Sequence, residues 1–158
     1  MADSRSLEEA VRICDSTART IGQDYFLRYT DEQKREIAAD ALNRGAENAL
    51  IAESLGFGLD ASISRGFVYS LGSHNHKNVR KGLATIEESS INSLRAMVLR
   101  HLMDRDSTNR YFNPDSWTEL GNELRILSLP HKYAALGMMV FYIRSQDDGF
   151  KDAAERNK

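Results

Sequence analysis

The stretch NVRKGLATIEESSINSLRAMVLRHL, residues 78–102, decides how this chain is read. Val79, Leu83, Ile86, Ser90, Leu94, Met97 and His101 recur at alternating spacings of four and three, and Ala84, Ile91, Val98 and Leu102 widen the same face. Side chains three and four apart share one side of an α-helix, so the spacing predicts a single helix. At about 25 residues it would be about 37 Å long. Only three heptads are present and Ser90 interrupts them, which favours a bundle core helix over a coiled coil.

Reading outward toward the N-terminus, Ser73-His74-Asn75-His76-Lys77-Asn78 is polar and turn-rich, and Ile63, Phe67 and Leu71 predict a helix from Asp60 to Gly72. Ser6-Leu7-Glu8-Glu9 has the form of a capping box, and so does Thr30 followed by Gln33. The first box opens a stripe of Leu7, Val11, Cys14, Ala18, Ile21 and Tyr25, predicting a helix of about 20 residues. The second opens one through Ile37, Ala38, Ala41, Leu42, Ala49, Leu50 and Leu55, with Gly45 permitting close contact and Gly56 and Gly58 as stops. Toward the C-terminus, Asp106 to Pro114 is a polar connection and Ser116-Trp117-Thr118-Glu119 a third capping pattern, ahead of Leu120, Leu124 and Leu127. Pro130 suits a helix's first turn. Tyr133, Ala134, Leu136, Gly137, Val140 and Phe141 lie almost all round the helix that follows, which predicts a central or interfacial position. Only residues 67–69 and 140–143 leave strand open, because short apolar runs are ambiguous. The expectation is an all-α, compact multi-helix bundle of about five to six helices: one domain over residues 4–146, then a charged, frayed tail at 147–158.

A chain of 158 residues is the size of one ordinary domain. With 41% hydrophobic residues, 28% charged and two prolines it belongs with folded globular proteins, and it is long enough to bury a core without a staple. A formal charge of -2 excludes strong bulk attraction to DNA or to a membrane. A single cysteine, Cys14, excludes an intramolecular disulfide, and its place on a helical stripe marks it as structural. The opening Met-Ala-Asp-Ser-Arg-Ser leads into a charged amphipathic stretch rather than a signal-peptide core. The most apolar run, 133–143, is about half a bilayer core in length. The expectation is a cytoplasmic protein without membrane partners.

Two places could carry function. Between Ala61 and Ile86 lie Arg65, Lys77, Arg80 and Lys81 and no carboxylate, with His74 and His76 flanking the polar turn. Together they form a candidate anion or nucleic-acid contact, helped by the N-terminal amides of the following helix; the plainer reading is a solvated loop. Aromatic residues near helix ends, Tyr29, Phe57, Tyr69, Tyr111 and Phe112, form a candidate protein interface, the plainer reading being core packing. No metal or cofactor is expected, because His74 and His76 are two apart, His101 and His131 stand alone, and no His-Glu-x-x-His occurs. The adjacent pairs Glu8-Glu9, Glu87-Glu88 and Asp147-Asp148 diverge by about 100° on a helix, so no catalytic residue is assigned. The function expected is that of a non-enzymatic helical interaction protein, either a homo-oligomer or an accessory or regulatory subunit of a protein partner. One alternative is phosphate-backbone contact by nucleic acid through the basic 74–81 turn. The other is an enzyme whose site is built from dispersed residues.

Overall fold

The computed structural model describes residues 6–54, 56–102 and 117–156. Among them the chain is all helical: α1 (Leu7–Thr20), a short 3-10 helix (Asp24–Arg28), α2 (Asp31–Glu47), α3 (Ala49–Ser54), α4 (Leu59–His74), α5 (His76–Thr85), α6 (Glu88–Leu102), α7 (Thr118–Leu124) and α8 (Leu129–Arg156). The all-α reading holds, with eight α-helices where about five to six were expected. Residues 67–69 and 140–143 lie inside α4 and α8, so neither is strand.

Ser6 caps α1 by accepting the Glu9 amide at 3.2 Å, and Ala10, Cys14, Thr17 and Ala18 turn inward. Burial, reinforced by the neighbouring Asp15, pushes the Cys14 thiol up, which suits a packing residue. The helix expected to reach Tyr25 stops at Thr20 because Gly22 takes a left-handed φ of 73°, a conformation open to glycine. The 3-10 helix then drops Phe26 into the core, edge-on to Phe67 at 4.9 Å between ring centroids.

Thr30 and Gln33 form the complete capping box of α2, with bonds of 3.1 Å in both directions. Ile37, Ala38, Ala41 and Gly45 press this helix onto α4. A Cβ on Gly66 would sit 2.7 Å from the Ala41 carbonyl oxygen, and one on Gly45 would sit 3.0 Å from the Ile63 backbone. The expected stripe through Leu50 does not persist. Asn48 ends α2, α3 sets off afresh, and Leu50 is 81% exposed. Leu55 lies outside the described residues.

The helix surrounded on most sides is α4, not the last one. Ser62 through Val68 are buried without a break, and Ser70 to Gly72 follow. Two of its serines bond across to neighbouring helices, Ser64 lying 2.8 Å from the Thr17 hydroxyl of α1 and Ser70 donating to Asp40 of α2. By contrast α8 buries Ala134, Ala135, Leu136, Met139 and Ile143, while Phe141 stays 73% exposed. With Pro130 in its first turn, α8 runs about 42 Å antiparallel to α4 and α5. Gly82 lies against Pro130, Gly137 against Val79 and Gly72 against Val140.

The single helix expected over 78–102 is two. Ile86 is extended (ψ 141°), ending α5, and α6 starts at Glu88. A straight rod would carry residues 88–102 past the body, whereas the break returns Leu94 and Val98 to the common core and leaves Leu83 39% exposed. His101 lies 2.7 Å from Glu123, and Arg100 reaches the same carboxylate at 3.1 Å, tying α6 to α7. In α7, Trp117 precedes the helix without a side-chain cap, and Leu120 and Leu124 are buried with it. Ser116, the cap expected there, lies outside the described residues. No helix among the described residues is long and apolar enough to cross a membrane.

Candidate functional site

Residues 73–78 are not a loop. α4 runs to His74 and α5 starts at His76, with Asn75 as a nearly helical joint (φ −104°, ψ 24°). Asn75 is only 6% exposed, so it offers nothing to a ligand. Its backbone N–H and its side-chain amide both donate to the Leu71 carbonyl at 3.0 Å, and its side-chain oxygen accepts the Tyr29 hydroxyl at 2.9 Å.

The joint rests on an aromatic support. Tyr25 packs on Tyr133 (4.9 Å between centroids) and on Tyr29 (6.2 Å), and the Tyr29 ring meets that of His74 at 5.8 Å. Tyr133 is hydrogen-bonded to Asn78. Burial pushes the hydroxyls of Tyr25, Tyr29 and Tyr133 up, most strongly at Tyr25, so all three stay neutral and act as fixed hydrogen-bonding groups. Beneath them the Tyr25 hydroxyl donates to Gln23 at 2.5 Å, and Gln23 donates to the Lys132 carbonyl at 3.1 Å. Lys132 in turn pairs with Asp24 at 3.1 Å. Burial raises the Asp24 carboxyl, but the Lys132 bond and charge, its own backbone amide and Arg125 together hold it below the ordinary value.

On this support α5 presents its cations outward. Val79 and Gly82 face α8, while Lys77, Arg80 and Lys81 occupy an arc of about 100° on the opposite side. They are exposed, as are His74 and His76, and Lys77, Arg80 and Lys81 form no ion pair with another described residue. Five of the six residues expected at an anion site are thus brought together. Arg65 is elsewhere, 2% exposed in the middle of α4, donating to the Ile143 carbonyl at 3.2 Å and to Gln146 at 3.4 Å.

The aromatic set does not converge. Tyr29 is half-buried under the joint, Phe57 is half-buried between α3 and α4, and Tyr69 lies on α4 beneath the Arg44 guanidinium at 4.3 Å. Tyr111 and Phe112 lie outside the described residues.

Arg44 belongs to a second feature that the sequence did not disclose, a polar cleft where α2 ends. Its Nε donates to Asp40 at 2.9 Å, and Ser70 donates to the same oxygen at 2.5 Å. Only the Asp40–Arg44 spacing of four hinted at this, and such pairs are common on helix surfaces. Burial raises the Asp40 carboxyl, but the bonds from Ser70 and Arg44, together with the Arg44 charge, outweigh it and hold the group below its usual range. A carboxylate lowered on folding stabilises fully above its unfolded pKa of about 3.9 and loses that contribution as pH falls through the lower folded value. Asp40→Asn is therefore expected to make the acid limb of a urea-unfolding stability profile shallower below about pH 4. A limb of unchanged steepness would contradict the assigned bonds.

Among the described residues no group of three or more His, Cys, Asp and Glu side chains is placed to hold a metal ion. No family model, no curated sequence and no solved structure matches the chain.

Proposed function

We propose that this chain works by binding, as a helical accessory or regulatory subunit, and that the outer face of α5 is where it meets an acidic partner. One observation supports the reading. Lys77, Arg80 and Lys81 stand on one arc with no described carboxylate paired to them, in a protein whose net charge is -2. An arc of one sign with no opposing partner creates a local potential that attracts its opposite. The aromatic support and the close packing of Val79 and Gly82 on α8 hold that arc rigid, which lowers the ordering cost of association. Contact with a second copy is one form of this reading, through whichever acidic surface that copy presents.

Phosphate-backbone contact is the second reading. Arg80 between two lysines favours it, because a guanidinium engages phosphate oxygens two at a time. Three cations are few beside the six to ten contacts of a strong duplex binder, so single strands held within a larger assembly fit better.

The test compares the intact chain with a Lys77→Glu, Arg80→Glu, Lys81→Glu variant, using poly-glutamate and single-stranded oligouridine as probes across a salt series. Loss of three phosphate contacts is expected to make the slope of log affinity against log salt shallower by about two units on the single strand. Binding of poly-glutamate with little response to oligouridine supports the protein partner, and the reverse order supports the phosphate reading. Equal affinity of variant and parent for both probes, with helical circular dichroism retained, would remove α5 as the contact surface.

A further inference from the structure

We propose that the cleft at the end of α2 binds a small organic carboxylate, with Arg44 as its main contact. This goes beyond the α5 surface and does not depend on it. α2 and α4 touch closely at Gly45 and Gly66, and then part: α2 stops at Glu47 and Asn48 turns the chain into α3. A cleft of about 260 Å³ opens there, with Asn48, Ser62, Arg65 and Tyr69 among its walls. That is slightly below the usual range for drug-sized ligands, about 300–1,000 Å³, and fits a compact metabolite.

Arg44 is already positioned for the task. Asp40 holds its Nε and its guanidinium carbon lies over the Tyr69 ring at 4.3 Å, while its two Nη groups donate to no other described residue. A guanidinium presents parallel N–H groups that match the two oxygens of a carboxylate. Because Asp40 and Tyr69 have ordered the side chain in advance, little conformational freedom is lost on binding. The Arg65 guanidinium, 2% exposed on the wall of the cleft, adds positive potential where screening by water is weak. Glu47 also lines the cleft and repels anions in proportion to their charge. Its presence favours a singly charged carboxylate over a phosphate dianion.

The experiment is a titration of the full chain with acetate, with succinate and with inorganic phosphate, followed by amide and Arg Nε–H resonances in nitrogen–proton correlation spectra. Saturable shifts centred on Arg44 and Asn48 are expected with acetate, and weaker binding with the doubly charged succinate, which Glu47 repels more strongly. Arg44→Gln should weaken that binding about tenfold or more, because it removes a charge-assisted pair of hydrogen bonds. Should that variant fold poorly, Arg44→Lys keeps the charge beside Asp40 but lacks the fork, and it is expected to weaken binding as well. Glu47→Gln should tighten acetate binding. The variant reversed at Lys77, Arg80 and Lys81 should bind acetate like the parent, so this result and the one for α5 can fail separately. Shifts that do not saturate, Arg44 variants that bind acetate as tightly as the parent, or phosphate bound as tightly as acetate would overturn the proposal.

Discussion

Replacing Gly121 with alanine is expected to cost about 3 kcal/mol of folding stability, at the upper end of the usual overpacking range. In an exposed helix the same change would stabilise by about 1 kcal/mol, so the sign alone is informative. The reason lies in how α7 crosses the end of α1. A Cβ on Gly121 would fall on the Thr20 carbonyl and lie 3.0 Å from the Gly22 amide nitrogen. Both obstacles are backbone, and neither can swing aside as a side chain would. Gly22 is locked from the other direction, since its own Cβ would meet the Gly121 carbonyl oxygen at 2.7 Å and its φ is 73°. To admit one methyl group α7 must lift, and Trp117, Leu120 and Leu124 leave the core with it. The Arg125 guanidinium, which donates to the Arg19 carbonyl at 2.7 Å, should lose its bond in the same movement. Urea unfolding of the parent and the variant measures the change. A variant as stable as the parent would mean that α7 does not cross α1 in this way.

Phe67→Ala should be at least as damaging, at about 3–5 kcal/mol. Phe67 is fully buried on α4, the most enclosed helix, with its ring edge-on to Phe26. Removing it deletes buried apolar surface and leaves a void beside side chains already fixed by close packing from α1, α2 and α8. For a domain of this size the loss corresponds to a fall in melting temperature of about 10 °C. Phe67→Leu retains most of the volume and is expected to cost less than about 1.5 kcal/mol. Thermal unfolding of the two variants separates cavity formation from loss of the aromatic contact. Equal, small losses for both would show that position 67 is not at the centre of the core.

How much of this was legible beforehand depended on the range of the interaction involved. The caps at Ser6 and Thr30 were readable because a cap joins residues three apart. The close contact expected at Gly45 was readable from an alanine-rich stripe, although its partner, Ile63, was not. The last helix was expected at the centre or in an interface because its apolar residues lie almost all round, and nothing local marked α4 as the enclosed one. Ser62, Ser64 and Ser70 are small enough for its tight surroundings, and Ser64 and Ser70 bond to residues of neighbouring helices. Asn75 was misleading. It read as a turn residue exposed beside His74 and His76, and it is buried because Tyr29, 46 positions earlier, supplies the hydroxyl it accepts.

Of the two candidate surfaces, the basic one was visible as the run 74–81, and its outward arc follows from the helical repeat once α5 is granted. Arg65 was grouped with it by charge alone, and nothing local said that the carbonyl of Ile143, 78 positions away, would claim it. The cleft beside Arg44 had no sequence signature, since α2, α4 and α8 each supply part of its lining.

By itself the sequence determined that the chain is all-α and where most of its helices begin, because both follow from residues within about one turn of one another. The tertiary structure decided that residues 78–102 break at Ile86, that α4 takes the enclosed position and that a cleft opens past Glu47. Those outcomes turn on packing between segments far apart in the chain, such as Gly82 on Pro130 and Gly137 on Val79. The free energy of such contacts can outweigh a local periodicity that favours one straight helix, and it is set only when the distant surfaces meet.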